Sequence, residues 1–207
     1  MLERHYAVFR FLPLASLLLA SCSVHIFSGS YKSHALPDWR SHQKAVSRLT
    51  NYQIRGVFAY FSKGEKVCAR FYWYQISDDS YQVLLINPLG NTEMELSVKK
   101  GMAQLVNNHG TRYVSSGDLE IMFQKLTGIS IPFDNLRHWM LGLPGDALDF
   151  MLDSLGHLHQ VNYRHNNQHW VVTYQGYHSN TPLVLPSHLE LCQGENRIQF
   201  KIDSWSL

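Results

Sequence analysis

From residue 52 onward the chain alternates large apolar and polar side chains at every second position, in short runs broken by turn residues. This rhythm restricts the fold more than any other feature. Runs at 52–61 and 66–76, dense in Tyr, Phe, Val and Trp, flank Ser62, Lys63, Gly64 and Glu65, which together signal a hairpin. Further runs at 81–86, 92–99, 102–107 and 111–114 are separated by Asp78 and Asp79, by Asn87 to Gly90, by Lys100 and Gly101, and by Asn107 to Gly110. Runs near 147–152, 157–163, 169–175, 188–193 and 197–203 complete the series. About eleven short strands in succession predict a mainly β fold, an antiparallel sheet long enough to curl into an incomplete barrel.

Three stretches depart from period two. Asp38 is placed to cap a helix running to Thr50, with Trp39, His42, Val46 and Leu49 at near-helical spacing. A second helix, Asp118 to Leu126, carries Leu119, Met122, Phe123 and Leu126 on one side and stops at Gly128. A third follows Pro132, from about Asp134 to Leu141, with Leu136, Trp139 and Met140, and ends before Gly142, Pro144 and Gly145. Three helices are too few to cover such a sheet, but they suffice to lid the mouth of a partly closed barrel over a hydrophobic cavity.

The N-terminus is a different kind of segment. A basic stretch, Arg4 to Arg10, precedes an apolar run from Phe11 to Ala20. A membrane-spanning helix needs roughly 20 apolar residues, and this run is half that and gives way at once to polar sequence. It reads as a cleaved signal peptide, residues 1–21. Leu19, Ala20, Ser21 and Cys22 resemble a bacterial lipobox, so Cys22 is expected to become the first mature residue, carrying S-diacylglycerol and N-acyl lipid. Several acyl chains, each buried CH₂ adding about 0.8 kcal/mol, anchor a protein without a spanning helix. Ser23, rather than Asp, follows the cysteine, which by resemblance to sorted lipoproteins directs the chain to the outer membrane, on its periplasmic face. Residues 22–37 read as a lipidated N-terminus with a flexible tether, and 38–207 as the folded domain.

Loss of the leader removes Arg4, Arg10 and Glu3 from 18 basic and 16 acidic residues, so the mature chain is nearly neutral, and a nucleic-acid partner is not indicated. Cys68 and Cys192 read as buried thiols rather than a bridge. The chain has no phosphate-binding loop, dinucleotide glycine pattern, Gly-x-Ser-x-Gly elbow, His-Glu-x-x-His or close Cys pair. His157, His159, His165 and His169 lie on or beside one polar hairpin and read as a wet strand pair more readily than as metal ligands. Asp78 with Asp79, and Glu93 with Glu95, show no sign of the burial a catalytic carboxylate pair needs. No catalytic residue, metal or cofactor beyond the covalent lipid is expected.

Two features invite a role. In Asn87-Pro88-Leu89-Gly90 the turn residues leave Leu89 at the tip, where it either folds back on the barrel or offers roughly 1.5–3 kcal/mol of apolar transfer to a membrane or pocket. Aromatics also crowd the early strands and the inserted helices. They read either as ordinary core or as the lining of an acyl-sized pocket, for which the candidates are Phe71, Trp73, Met122, Phe123, Leu126, Leu136, Trp139 and Met140.

Several separated blocks carry a resemblance that spans nearly the whole chain. Beside the lipobox at Cys22 stand Tyr52-Gln53-Ile54-Arg55-Gly56, Arg70-Phe71-Tyr72-Trp73, Asn87-Pro88-Leu89-Gly90, Lys125-Leu126-Thr127-Gly128 and Trp139-Met140-Leu141-Gly142-Leu143-Pro144-Gly145-Asp146. In this combination and order the chain is similar to the LolB family of outer-membrane lipoprotein receptors. The resemblance implies an unclosed barrel capped by helices. It also implies that the chain, as a monomer, accepts triacylated lipoproteins from the periplasmic carrier LolA and inserts them into the inner leaflet of the outer membrane, against its phospholipid. Pro88, Leu89 and Gly90 would form the insertion loop. The rival expectations are a structural envelope lipoprotein that binds another protein through a solid core, and an envelope hydrolase with titrating groups inside its cavity.

Overall fold

The computed structural model describes residues 37–165 and 167–207. The signal peptide assigned to 1–21, the lipid site Cys22 and the tether up to residue 36 lie outside the described residues. Alternation in sequence becomes alternation in burial. In β1 (Tyr52–Ser62), Tyr52, Ile54, Gly56 and Phe58 face inward while Gln53, Arg55 and Val57 are exposed. In β2 (Glu65–Ser77), Ala69, Phe71, Trp73 and Gln75 occupy the same inner face and Tyr72 and Tyr74 the outer one.

The chain continues through β3 (Ser80–Ile86), β4 (Thr92–Lys99), β5 (Met102–Asn107) and β6 (Arg112–Ser115). After the helical insertion come β7 (Asp149–Leu152), β8 (Leu158–His165), β9 (Gln168–His178), β10 (Leu185–Gln193) and β11 (Asn196–Ser206). Among the described residues these eleven strands make one sheet in the order β6-β5-β4-β3-β2-β1-β11-β10-β9-β8-β7, antiparallel at each pairing and open between β6 and β7. The connection between the two open edges is the segment that carries α2 (Leu119–Thr127) and α3 (Phe133–Met140). Their apolar faces pack against the inner face of the sheet in one continuous core.

Where the boundaries differ from expectation, the reasons are local. Helix α1 (Pro37–Val46) starts two residues before the expected first helical residue, Trp39, so Asp38 sits inside the first turn rather than capping it, and it ends four residues before Thr50 as Ser47 and Leu49 donate back to Gln43 and Val46. Strand β7 begins at Asp149 because residues 144–147 are held in a turn by Ala147 N–H on Pro144 O. Strands β9 and β10 extend beyond the expected ends at 175 and 188, past Gly176 and through Pro186, because the ladder shifts register on either side of His188 and so accommodates a proline. Cys68 and Cys192 are free and half-buried rather than buried. They lie on strands β2 and β10, three strand spacings apart at about 4.8 Å each, beyond the reach of a disulfide.

Candidate functional site

Eleven side chains line a cavity between the inner face of the sheet and the helical insertion, and none of their exposed surface there is polar. Phe58, Phe71 and Trp73 come from β1 and β2, Val83, Leu85 and Met94 from β3 and β4, Phe200 from β11, and Phe123, Ile131, Phe133 and Leu136 from the insertion. Aromatic contacts hold the walls together. Phe71 and Phe58 pack on Phe200 at 5.4 and 5.5 Å, Phe123 meets Phe133 edge-on at 5.0 Å, and Trp73 stacks on Tyr81 at 5.2 Å. The free space is about 40 Å³, well below the roughly 300–1,000 Å³ of occupied ligand pockets, so in this conformation the cavity is nearly shut.

The two lid helices are fastened very differently. Helix α3 buries Phe133, Asn135, Leu136, Trp139 and Met140, and its last turn is bolted to the sheet by the Tyr174 hydroxyl, which donates to Trp139 O at 2.9 Å. Full burial pushes the Tyr174 phenol far above its ordinary pKa and keeps it a donor. Trp139 packs edge-on against Tyr163 and donates its indole N–H to Pro144 O. Buried Asn135 accepts from Asp146 N at 2.9 Å and donates to the Asp146 carboxylate, and a Cβ on Gly145 would lie 2.3 Å from its Oδ1. The block from Trp139 to Asp146 is therefore one interlocked clamp. Helix α2, by contrast, fully buries only Phe123. It is bounded by Asp118, whose carboxylate accepts from Glu120 N and Ile121 N, and by Gly128 at φ 74°, whose N–H returns to Gln124 O.

Of the eight expected lining residues, Phe71, Trp73, Phe123 and Leu136 border the cavity. Met122 packs half-buried beside the core and Leu126 is 36% exposed. Trp139 and Met140 are fully buried but belong to the clamp, a correction to their reading as lining. Phe58 and Phe133 belong to the crowded aromatics without being lining candidates, and Val83, Leu85, Met94, Ile131 and Phe200 were not singled out in the sequence. The strand members among them share the inward parity of their neighbours, a signal that was available. A larger recess of about 490 Å³ opens beside Leu119 and Glu120, but Asp78, Asp79, Asp118, Glu120 and Asp134 line it and make it a poor host for hydrocarbon.

The carboxylates set aside as catalytic in the sequence have structural partners, Glu95 accepting from Gln82, Glu93 from Asn87 and Asn108, and Asp79 from Ser77. His157 faces Asp153, Tyr177 and His42, and His165 stacks on Tyr163. Among the described residues no three metal-ligating side chains converge.

Leu89 does not fold back; it is 86% exposed. Its turn is rigidly built: Asn87 N–H donates to Asn91 O, Gly90 N–H to Asn87 O, and the Asn87 side-chain oxygen accepts from both Leu89 N and Asn91 N at 3.0 Å. Gly90, at φ 89°, takes a left-handed conformation that other residues adopt with strain. The same bonding recurs in Asn107-Asn108-His109-Gly110-Thr111 and again in Asp153-Ser154-Leu155-Gly156-His157. In each turn the third residue is pushed into solvent.

The family model described as outer membrane lipoprotein LolB matches residues 50–205. Among curated proteins, an outer-membrane lipoprotein LolB of Sodalis glossinidius is 63% identical over 99% of both chains. One of Serratia proteamaculans is 50% identical, covering 99% of this chain and 98% of its own. Among solved structures, a putative outer membrane lipoprotein-sorting protein domain from Vibrio parahaemolyticus superposes with a TM-score of 0.52 at 10% identity, over 82% of this chain and 90% of that one. A LolA superfamily protein from Nitrosomonas europaea gives 0.50 at 7% identity, over 81% and 92%. At such identities these two bear on the fold alone.

Proposed function

The chain belongs to the LolB family of outer-membrane lipoproteins, and on that premise we propose that it receives acylated lipoproteins from a periplasmic carrier of the LolA type and releases their acyl chains into the inner leaflet of the outer membrane. The observation that carries the reading is the wholly apolar cavity roofed by a helix that one buried phenylalanine holds down. Acyl chains exposed to the aqueous periplasm cost about 0.8 kcal/mol per CH₂, so they pass from one apolar enclosure to another. On this account α2 swings away with Phe123 to open space among Phe58, Phe71, Trp73 and Phe200, while α3 stays clamped to the sheet. Cargo replaces the aromatic contacts of the closed state, and the bilayer then competes for it as the final sink.

No covalent chemistry is needed, and the chain acts as a carrier rather than an enzyme, with the lipid on Cys22 as its membrane address. Each tenfold preference of acceptor over donor takes only about 1.4 kcal/mol, so a slightly better cavity at each step drives transfer without nucleotide hydrolysis. Leu89 serves the last step: held out on a rigid turn, it enters the leaflet and couples the loaded cavity to the bilayer. Leu89→Glu therefore leaves receipt of cargo from the carrier intact and impairs its delivery into vesicles. The test is a two-stage transfer assay with an acylated lipoprotein, scored separately for receptor-bound and vesicle-bound cargo. Unchanged delivery by the variant would sink the role given to Leu89, and cargo remaining on a demonstrably active carrier would favour a structural lipoprotein instead.

A further inference from the structure

The turn Asn107–Thr111 is a second copy of the Leu89 turn, with His109 where Leu89 stands. The two lie at the same end of the sheet, since the β3–β4 and β5–β6 connections are separated by one intervening hairpin reversal. They are also bonded to each other through Glu93, whose Oε1 accepts from Asn87 Nδ2 at 2.6 Å and whose Oε2 accepts from Asn108 Nδ2 at 2.9 Å. One carboxylate thus fixes both tips as a pair, about two strand spacings or roughly 10 Å apart. One tip is apolar and the other polar. His109 is exposed, and exposed Arg112 opens β6 immediately after the turn.

Resting on the role proposed for Leu89, we infer that the His109 turn is the headgroup-binding half of the same membrane contact: His109 and Arg112 meet phospholipid phosphates while Leu89 enters the acyl layer beside them. The chemistry fits a bilayer surface, where hydrocarbon is bordered by a phosphate-bearing layer and N–H donors find anionic oxygens. Glu93 is then a positioning residue, since its two amide bonds hold the apolar and polar tips in one orientation. The third copy of the turn, Asp153–His157, carries Leu155 at its tip, 74% exposed, but joins β7 to β8 at the opposite end of the sheet. It is a built-in control, because turn shape and side chain match those at Leu89 and only the location differs.

Depth-dependent quenching tests the inference on the full lipidated chain in vesicles of phosphatidylethanolamine and phosphatidylglycerol. Leu89→Trp, His109→Trp and Leu155→Trp are each compared with the unsubstituted chain. Emission from position 89 is expected to be quenched by acyl-chain bromines, emission from 109 chiefly by a headgroup nitroxide, and emission from 155 by neither. Position 109 behaving like 155 while 89 is quenched overturns the headgroup assignment and leaves the Leu89 reading standing. Position 89 untouched by either quencher overturns that reading and this inference with it. In parallel, H109E/R112E should slow delivery several-fold into the same vesicles with cargo receipt unchanged, and delivery at the normal rate would count against the assignment. The turn is held by backbone groups and Asn107, so both side chains can be replaced without removing its bonds.

Discussion

Gly56 has no room for a side chain. A Cβ there would lie 2.1 Å from Lys201 O and 2.8 Å from the Phe71 ring, which rests over the glycine and reaches Phe200. Gly56→Ala is therefore expected to cost about 1–3 kcal/mol by overpacking, lowering the melting temperature by roughly 2–4 °C for each kcal/mol, as thermal denaturation would register. His42 makes a second residue-scale prediction. Burial, and secondarily the facing His157, lower its pKa from about 6.5, so the folded state favours neutral imidazole and the unfolded chain binds more protons in that window. The stability this supplies is fully present above about pH 6.5 and is lost as the pH falls below it. Denaturant midpoints for the parent and His42→Asn across pH 5 to 7.5 should therefore converge toward the acid end, and parallel curves would show that His42 contributes nothing to the acid loss.

At the scale of elements, the contrast between α2 and α3 should appear as a difference in local opening. Hydrogen exchange of α2 amides is expected to be at least tenfold faster than that of α3, since α2 fully buries one side chain and α3 five. Asp118→Ala should remove about 1 kcal/mol of capping and speed α2 exchange about fivefold without touching α3. Equal protection of the two helices would contradict the view of α2 as the moving part. The strands were legible in the sequence because one-sided burial forces a period of two, which Tyr52, Ile54, Gly56 and Phe58 obey without exception. The continuation of β10 through Pro186 was not legible, because a bulge cancels the usual cost of proline and leaves no mark in the pattern. The cavity lining was half legible. Apolar helix residues such as Trp139 and Phe123 look alike in sequence, and only Tyr174, Asn135 and Pro144, distant or unremarkable in the chain, decide which is clamp and which is lid. The sequence leaves open whether Leu89 folds back or projects, and the two copies of its turn are not legible, since an Asn or Asp three residues before Gly does not by itself reveal that its side-chain oxygen closes the turn.

For the whole molecule, the lipid at Cys22 and the cavity are separable in the proposed scheme: the first fixes location and the second handles cargo. A form beginning at Ser23 is accordingly expected to accept an acylated lipoprotein from its carrier without ATP, as pull-down of the receptor would record, and failure of receipt would tie the anchor to the cavity itself. The open sheet sets the remaining constraint. A closed ring of strands has only its two mouths, and anything held inside must leave along the axis. A sheet that stops at β6 and β7 has a slit down its side, bridged by the segment containing α2 and α3. A fatty tail fused to a folded protein is like a key on a chain too bulky to thread, and it can be passed sideways through a slot but not pulled through a pipe. In the proposed scheme, the missing pairing between the two short edge strands is thus what would allow a large object to be handed on by its smallest part.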